Sequence, residues 1–496
     1  MKILKCPNWI YTVISSILVG VSYNPWNLGF LAYIGFVPII HIWTQNNSKK
    51  NFSHGYIFGF LYNFLSNYWI GANSGAEFIV VISSLFFAVS YLALFWGLAG
   101  FIVGLLKNKG FKYYFPFLIV LLEWFRSFGP LGFDWGVLAL TQTNYLPLLQ
   151  LNDILGPYFS SFLIIYINCS IYQILFEKRP NLKYALKPSI VILVLFIYGK
   201  VKLNSTYNEK ESLKVAVIQP NLDPKEKWNR KTRETNISTI DSLHNLAITL
   251  SPEIILFPET AYPTYLTLDS RVRGKIQNKV NSSNIPILVG TVDRVFSERG
   301  KKTYFNSSLF MAPEKEYEIY SKIHLVPFAE YDLLPEFLHP LVNLNLNIDR
   351  GVFIGGNNYK IFEWKNIKFA NLICYESSFA RYAREFTSQG AQILMIQAND
   401  GWLGTSAGPF QHFSSAILRA IENRVPIVRS GNTGISGVIL PTGEIKKYLK
   451  LQTQSVFIEK IPISSDKSFY SRNGDFFPLI CFVIFLFLGP VRCSKN

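Results

Sequence analysis

Long apolar runs separated by short polar turns fill the first 204 residues, and the pattern then changes abruptly. Seven runs, near 8–23, 27–45, 54–72, 78–106, 113–128, 157–177 and 188–204, approach the length a helix needs to cross the hydrocarbon of a bilayer, and an eighth runs from about 474 to 491. The 78–106 run has room for two re-entrant pieces, but one tilted helix is simpler. The pattern predicts a bundle of about seven transmembrane helices over 1–204 and a C-terminal transmembrane helix with a short cytoplasmic tail over 474–496. Between them, 205–473 carries short apolar runs. LKVAVIQ (213–219), EIILF (253–257), IPILVGT (285–291), IKFANLI (367–373), AQILMIQ (391–397), PIVRS (426–430) and ISGVIL (435–440) predict strands. Stretches near 235–250, 267–281, 376–389 and 409–424 have helical spacing. Strands alternating with helices predict a layered α/β or α+β domain, joined to the apolar parts by polar linkers near 205–212 and 463–473.

Composition agrees. Of the 496 residues 49% are hydrophobic and only 16% charged, against about 25% charged in soluble chains. The formal charge of +16 would suggest nucleic acid in a soluble protein. Here the basic residues sort by loop. With the N-terminus in the cytoplasm, the inside segments hold Lys2, Lys5, Lys49, Lys50, Lys107, Lys109, Lys112, Lys178, Arg179, Lys183, Lys187, Arg492 and Lys495, while the short outside loops hold only Arg126. That asymmetry predicts a multi-pass protein of the bacterial cytoplasmic (inner) membrane with 205–473 on the periplasmic or extracellular face. No nucleic-acid partner is needed, and basic residues of 205–473 are free to meet anionic headgroups of membrane lipids. The start, MKILK before an apolar run, resembles a signal peptide without a small-residue cleavage site, and it reads as a retained first span. The five cysteines, Cys6, Cys169, Cys374, Cys481 and Cys493, show neither disulfide nor zinc spacing.

Three positions invite chemistry. Glu259 follows the strand EIILF, at the rim of a sheet where sites form; alone it reads equally as a turn acid. Lys322 lies between apolar neighbours, which also suits a snorkelling surface lysine. Cys374 ends the strand IKFANLI where the next helix opens, a turn that presents a nucleophile and whose helix N-terminus favours a thiolate; a free cysteine is otherwise a small buried apolar residue. Together, a carboxylate, an ammonium and a thiol supply the base, the oxyanion stabiliser and the nucleophile of covalent catalysis without a histidine. The six histidines show no metal spacing, His324 and His412 read as structural, and no cofactor or metal is expected. Glu123 and Arg126, at i and i+3 near the outer end of the fifth span, fit a lipid path or a structural pair that pins this span to the loop 127–156.

FPET (257–260), YSKIHLVPFAEY (320–331) and ICYESSF (373–379) resemble, in this order, the Glu–Lys–Cys neighbourhoods of the nitrilase or carbon-nitrogen hydrolase superfamily; NDGWLG (399–404), the segment 411–445 and QPN (219–221) match further. Seven spans before such a domain and one after it, with YNPWNLGFLAYIGFVPI (23–39) and EWFRSFGPLGFDW (123–135), are similar to the apolipoprotein N-acyltransferase family. One departure is Asp134, where that family more often has proline. The resemblance implies an αββα nitrilase-like domain on an integral membrane bundle. It also implies a general base in Glu259, an electrostatic stabiliser in Lys322, a nucleophile in Cys374 and an oxyanion donor in the Tyr375 N–H. Glu330 would position the lysine, and Glu376, Trp228, Asn306 and Trp402 would be supporting, pocket or lid residues. The implied partners are a phospholipid acyl donor and a diacylglyceryl-modified apolipoprotein acceptor, with transfer through a thioester on Cys374. The rival readings are a membrane-anchored amidase or nitrilase and, outside enzymes, a transporter. The oligomeric state is not legible.

Overall fold

The computed structural model describes residues 7–106, 110, 113–177, 183–204, 211–296, 302–331, 353–464 and 467–488. Lys2, Lys5, Lys107, Lys109, Lys112, Lys178, Arg179, Arg492, Lys495, Cys6, Cys493 and most of the 205–212 linker lie outside the described residues.

Seven main helices precede the first strand: α1 Asn8–Gly20, α2 Val37–Gln45, α3 Ser48–Asn67, α4 Phe78–Leu106, α5 Phe115–Arg126, α6 Pro157–Phe176 and α7 Lys183–Leu203. Among the described residues three of them, α4, α6 and α7, are long and apolar enough to cross a membrane. The expected span at 27–45 is not one helix. A 3-10 turn at Gly29–Leu31 and a short turn at Ala32–Gly35 precede α2. Asn168 of α6 bridges this break, its Oδ1 accepting from Phe36 N at 2.9 Å and its Nδ2 donating to Ala32 O at 2.8 Å. Helix α3 starts earlier than its apolar run, because Asn47 caps it by accepting from Lys50 N at 3.0 Å. Helices α3 and α4 cross closely through glycine: a Cβ on Gly55 would lie 2.3 Å from Trp96 O, and one on Gly100 2.3 Å from Asn51 O.

The middle of the chain forms twelve strands among the described residues. They are β1 Ser212–Gln219, β2 Ile254–Leu256, β3 Ile287–Phe296, β4 Lys302–Met311, β5 Glu318–Ser321, β6 Ile361–Trp364, β7 Ile367–Ile373, β8 Ile393–Ala398, β9 Ile427–Gly431, β10 Ser436–Ile439, β11 Ile445–Leu449 and β12 Ser455–Pro462. They build two six-stranded sheets, ordered β12-β1-β2-β3-β4-β5 and β11-β10-β9-β8-β7-β6. Helices α8 Arg233–Thr249 and α9 Ser270–Ser283 accompany the first sheet, and α10 Ala380–Ser388 and α11 Ala407–Asn423 the second. Between the sheets runs a polar ladder rather than a wholly apolar seam. Asn371 Nδ2 donates to Ser308 Oγ at 2.6 Å and to Gln397 Oε1 at 2.9 Å, Ser308 donates to Gln397, and Gln397 Nε2 donates to Phe257 O at 2.8 Å. Helix α12, Phe476–Leu488, closes the chain against α5.

The layered domain is bolted to the bundle through α11. Gln411 Oε1 accepts from the indole N–H groups of Trp69 (3.1 Å) and Trp135 (3.2 Å), while its Nε2 donates to Ser66 O (2.9 Å) and Asn24 O (3.1 Å). Arg424 binds Asp153 at 3.0 Å and Gln150 at 2.7 Å. Asp134, the departure noted above, has a purpose here: buried, it accepts from Ala380 N at the start of α10 (3.1 Å) and from Tyr158 Oη (3.2 Å). Glu123 and Arg126 also reach the loop that follows them, through Leu138 N (2.9 Å) and Phe133 O (3.1 Å), the geometry of a structural pin.

Gln411→Ala would leave two tryptophan N–H groups and two carbonyls without this partner in a buried junction. It is expected to cost about 3 kcal/mol or more and to lower the thermal midpoint of the purified full-length protein by several degrees, measured by scanning fluorimetry.

Candidate active site

Strand β2 is only three residues long, and the chain leaves it through Phe257 and Pro258 to place Glu259 at the sheet rim. Glu259 is 7% exposed and its Oε1 accepts from Asn306 Nδ2 at 2.7 Å. Asn306 sits in β4 opposite Val292, and the same amide donates to Glu330 Oε1 at 2.8 Å. Lys322, one residue past β5 and 1% exposed, pairs through Nζ with Glu330 Oε2 at 2.7 Å. That carboxylate oxygen also accepts from Val326 N at 2.7 Å, and Lys322 N donates to Asn306 O at 2.8 Å. Two acids, one amide and one ammonium are thus locked by short bonds from three separate chain segments.

Strand β7 delivers Cys374, which turns out of the sheet with φ +51° and is half-buried. A non-glycine residue in the left-handed region is uncommon and holds only where its surroundings enforce it. Glu376 is one enforcer. Fully buried, its carboxylate accepts from Ile373 N (2.8 Å), Ile323 N (2.6 Å), His324 N (3.2 Å) and Tyr320 Oη (2.8 Å), stapling the Cys374 turn to the segment around Lys322. On the other side, Ser377 Oγ donates to Cys374 O at 2.8 Å, and His412 Nε2 lies 2.9 Å from Ser377 Oγ and 3.0 Å from Cys374 O. Asp400 holds His412 Nδ1 at 2.6 Å and Arg429 holds Asp400 at 2.6 Å, with all three buried. The donor atoms of Cys374, Asp400 and His412 fall within 4.8 Å of one another, a spacing a metal could use. Both Asp400 oxygens are already engaged, however, and the Arg429 guanidinium, 2.9 Å from His412 Nδ1, stands where the balancing positive charge is needed.

The charges act on one another. Burial pulls the Lys322 pKa down, but Glu330, Cys374 and Glu259 outweigh it and raise it above the ordinary lysine value, so the ammonium stays protonated. Burial raises Glu259 above the ordinary carboxylate range, with Lys322 and the Asn306 bond opposing and Glu330 assisting. Burial, and then Glu259, push the Cys374 thiol well up, with Lys322 pulling it down. This corrects the expectation that a helix N-terminus favours the thiolate: Cys374 opens only a five-residue 3-10 turn, Cys374–Ser378, and burial dominates. At rest the sulfur keeps its proton, with a carboxylate of raised basicity and a fixed cation beside it. Glu376 is likewise pushed up by burial, to about 7, against its bonds to backbone N–H groups.

The other expected residues are spread out. Tyr375 stacks on Trp135 and its hydroxyl donates to Gly132 O at 3.2 Å, so it also touches the bundle loop. Trp228 is largely exposed and lies over Tyr265. Trp402 packs on Gly75, and its carbonyl accepts from Ser74 N at 2.8 Å, so it contacts the bundle. Sequence reasoning missed Asp400, Arg429 and the proximity of His412, since NDGWLG entered only as a family match and PIVRS only as a strand, with no role attached to the acid or the arginine. It also missed Lys227, whose buried amine has no hydrogen-bond partner among the described residues and drops to about 8 through burial, with Glu259 pulling it back.

Comparison with known proteins is consistent along the whole length. Residues 15–170 match the apolipoprotein N-acyltransferase N-terminal domain, and residues 214–468 match the carbon-nitrogen hydrolase family. An apolipoprotein N-acyltransferase of Geobacter metallireducens is 31% identical over 489 residues, covering 96% of this chain and 93% of that protein. One from Rickettsia prowazekii is 29% identical over 486 residues, covering 93% and 96%. Among solved structures, a mutant amidase of Nesterenkonia AN1 from the nitrilase superfamily overlays with a TM-score of 0.40 at 14% identity, covering 56% of this chain and 96% of that one.

Lys322 is the cation that lowers the Cys374 pKa, so removing it makes the thiolate scarcer. Lys322→Met is expected to slow alkylation of Cys374 by iodoacetamide at pH 8 by about 10-fold or more, since a nearby opposite charge is worth roughly one to three pKa units. Time-resolved intact mass reads this directly.

Proposed function

We propose, because this chain belongs to the apolipoprotein N-acyltransferase family, that it moves a fatty acyl group from a phospholipid to the N-terminal amine of a diacylglyceryl-modified lipoprotein through a thioester on Cys374. The observation that carries the mechanism is the meeting of a half-buried thiol, a carboxylate of raised pKa and a lysine held charged by a second carboxylate.

In the first half-reaction Glu259 takes the Sγ proton of Cys374 as the sulfur attacks the ester carbonyl of the lipid. The oxyanion is met by the Lys322 ammonium and by backbone N–H groups of the Cys374 turn, Tyr375 among them. Collapse breaks the acyl C–O bond; the leaving alkoxide takes the proton back from Glu259 and departs as a lysophospholipid. In the second, the lipoprotein amine attacks the thioester, Glu259 accepts its proton, and the C–S bond breaks to return that proton to sulfur. Each step needs only groups already in place, which suits a preorganised site. Glu330 and Asn306 fix the lysine and the base, and Glu376 fixes the two loops against each other.

The setting supports lipid substrates. Large apolar side chains point outward along α4 (Phe78, Phe86, Phe87), α7 (Leu193, Val194, Ile197) and α12 (Leu479, Val483, Phe487), as a lipid-facing surface requires. We assign 1–204 to a bundle of about seven spans, 205–473 to the catalytic domain on the periplasmic or extracellular side, and 474–496 to a last span and short cytoplasmic tail. The broken second run and the shorter α1, α5 and α12 make this a bundle whose members need not all be full-length straight spans.

Two measurements test the mechanism. Purified protein given phospholipid should gain a fatty-acyl mass at Cys374 that hydroxylamine removes, with release of lysophospholipid; Cys374→Ser should gain none, and Glu259→Gln should acylate at least about 100-fold more slowly. Hydrolysis of a small amide without any acyl increment would sink this reading. The pH profile is a second test. Asn306 donates to the Glu259 carboxylate and so lowers its pKa; Asn306→Ala raises it, and the acid limb of the acylation profile should therefore move to higher pH.

A further inference from the structure

Where the bundle meets the catalytic domain there is a groove of about 470 Å³ whose walls include Pro130, Ile323, Leu325, Tyr331, Ile354 and Arg381. One wall is the segment that directly follows Lys322, and Tyr331, next to Glu330, closes part of the rim by donating from Oη to Pro130 O at 2.8 Å. The lining is apolar apart from a few groups, of which Arg381 carries the charge. His324, also on the wall, is uncharged, because burial, Arg381 and Lys322 drop it to about 3.

Arg381 is unusual in three respects. It stands in the first turn of α10, where the helix dipole disfavours a cation, and the start of that helix is already satisfied by Asp134. No carboxylate of the described residues lies within 4 Å of its guanidinium; Glu385, one turn on, bonds Gln389 instead. Among the described residues its buried Nε has no partner, and the hydrogen bond it makes is a long 3.3 Å contact to Tyr382 Oη. Yet it is held in place, flanked by the rings of Tyr382, Phe379 and Phe128 at 4.9, 5.4 and 5.5 Å. Phe128 comes from the bundle and the other two from the catalytic domain. A guanidinium fixed by rings, partly desolvated and unpaired is a site for an oxyanion, since arginine binds phosphate with charge-assisted bonds in a geometry lysine cannot copy.

We propose that this groove seats the phosphodiester headgroup of the acyl-donor phospholipid, with Arg381 on the phosphate and the apolar wall along Ile323, Leu325 and Ile354 against the glycerol and the start of the chains. This rests on the phospholipid-donor reading above. It makes Arg381 a specificity-determining residue that acts on substrate binding and leaves proton transfer to Glu259.

The test compares two acyl donors on the full-length protein in detergent micelles: a phosphatidylglycerol, and a p-nitrophenyl fatty ester, which has no phosphate. Thioester formation on Cys374 is followed by mass. In Arg381→Ala the ratio of kcat/KM for phospholipid to that for the ester should fall about 10-fold or more, the size of one charge-assisted bond, mainly through KM; Arg381→Lys should recover part of it. An unchanged ratio would overturn the groove assignment, including the case where both donors slow together because the fold has suffered. Inorganic phosphate should leave the wild-type rate unchanged; strong inhibition that disappears in Arg381→Ala would assign a free-phosphate site instead and overturn the lipid headgroup. A wild-type protein that takes acyl from the ester but never from phospholipid would fail the donor reading itself, a result distinct from all of these.

Discussion

A lysine ammonium that is 99% hidden from solvent stays charged only if the protein builds an anion around it. Here Glu330 does so at 2.7 Å, with Glu259 behind it and one amide, Asn306, touching both acids. Much of the site's architecture can be read as the cost of that arrangement. The two carboxylates repel, so Asn306 must sit between them; Asn306 must therefore be a polar residue inside a strand; and the segment carrying Lys322 and Glu330 must be tied down, by Val326 N on one side and the Glu376 staple on the other. Losing one partner of such a buried pair costs far more than the pair itself contributes, which makes the arrangement all-or-none.

The same logic explains why the sulfur sits in a strained turn. Cys374 is held from beneath by Ser377 and His412 on its own carbonyl, and His412 in turn by Asp400 and Arg429. Ser377 and His412 hydrogen-bond the backbone of the nucleophile, and Asp400 and His412 also lie within 4.8 Å of its sulfur, where the Asp400 charge adds to the rise of the thiol pKa. They form a buried, hydrogen-bonded polar platform under the Cys374 turn.

Much of this was legible in the sequence and some was not, for identifiable reasons. The seven expected strands were found because each is a short apolar run between turns; Glu259 and Cys374 drew attention because each stands where such a run ends, and Lys322 because it lies between apolar neighbours in a stretch that resembles the superfamily's lysine neighbourhood. Strand β4 was missed because its middle reads Phe-Asn-Ser-Ser: Asn306, Ser307 and Ser308 are buried but polar, serving the acids, Ser321 and the inter-sheet ladder. Strand β11, Ile445–Leu449, was missed because it is an exposed edge with two lysines. The break at Gly35–Phe36 was invisible because its partner, Asn168, lies more than 130 residues away in an apolar helix. Asp400, His412 and Arg429 converge only through tertiary structure, and no local spacing announces them.

Gln411 has one more implication. Its amide satisfies four groups at once, two indoles and two main-chain carbonyls, all of them from the apolar part of the chain. A layered domain of this kind cut free of its helices would present a glutamine amide with neither its donors nor its acceptors, on a helix face shaped for partners no longer there. Recombining it with a foreign anchor would therefore require remaking that seam residue by residue.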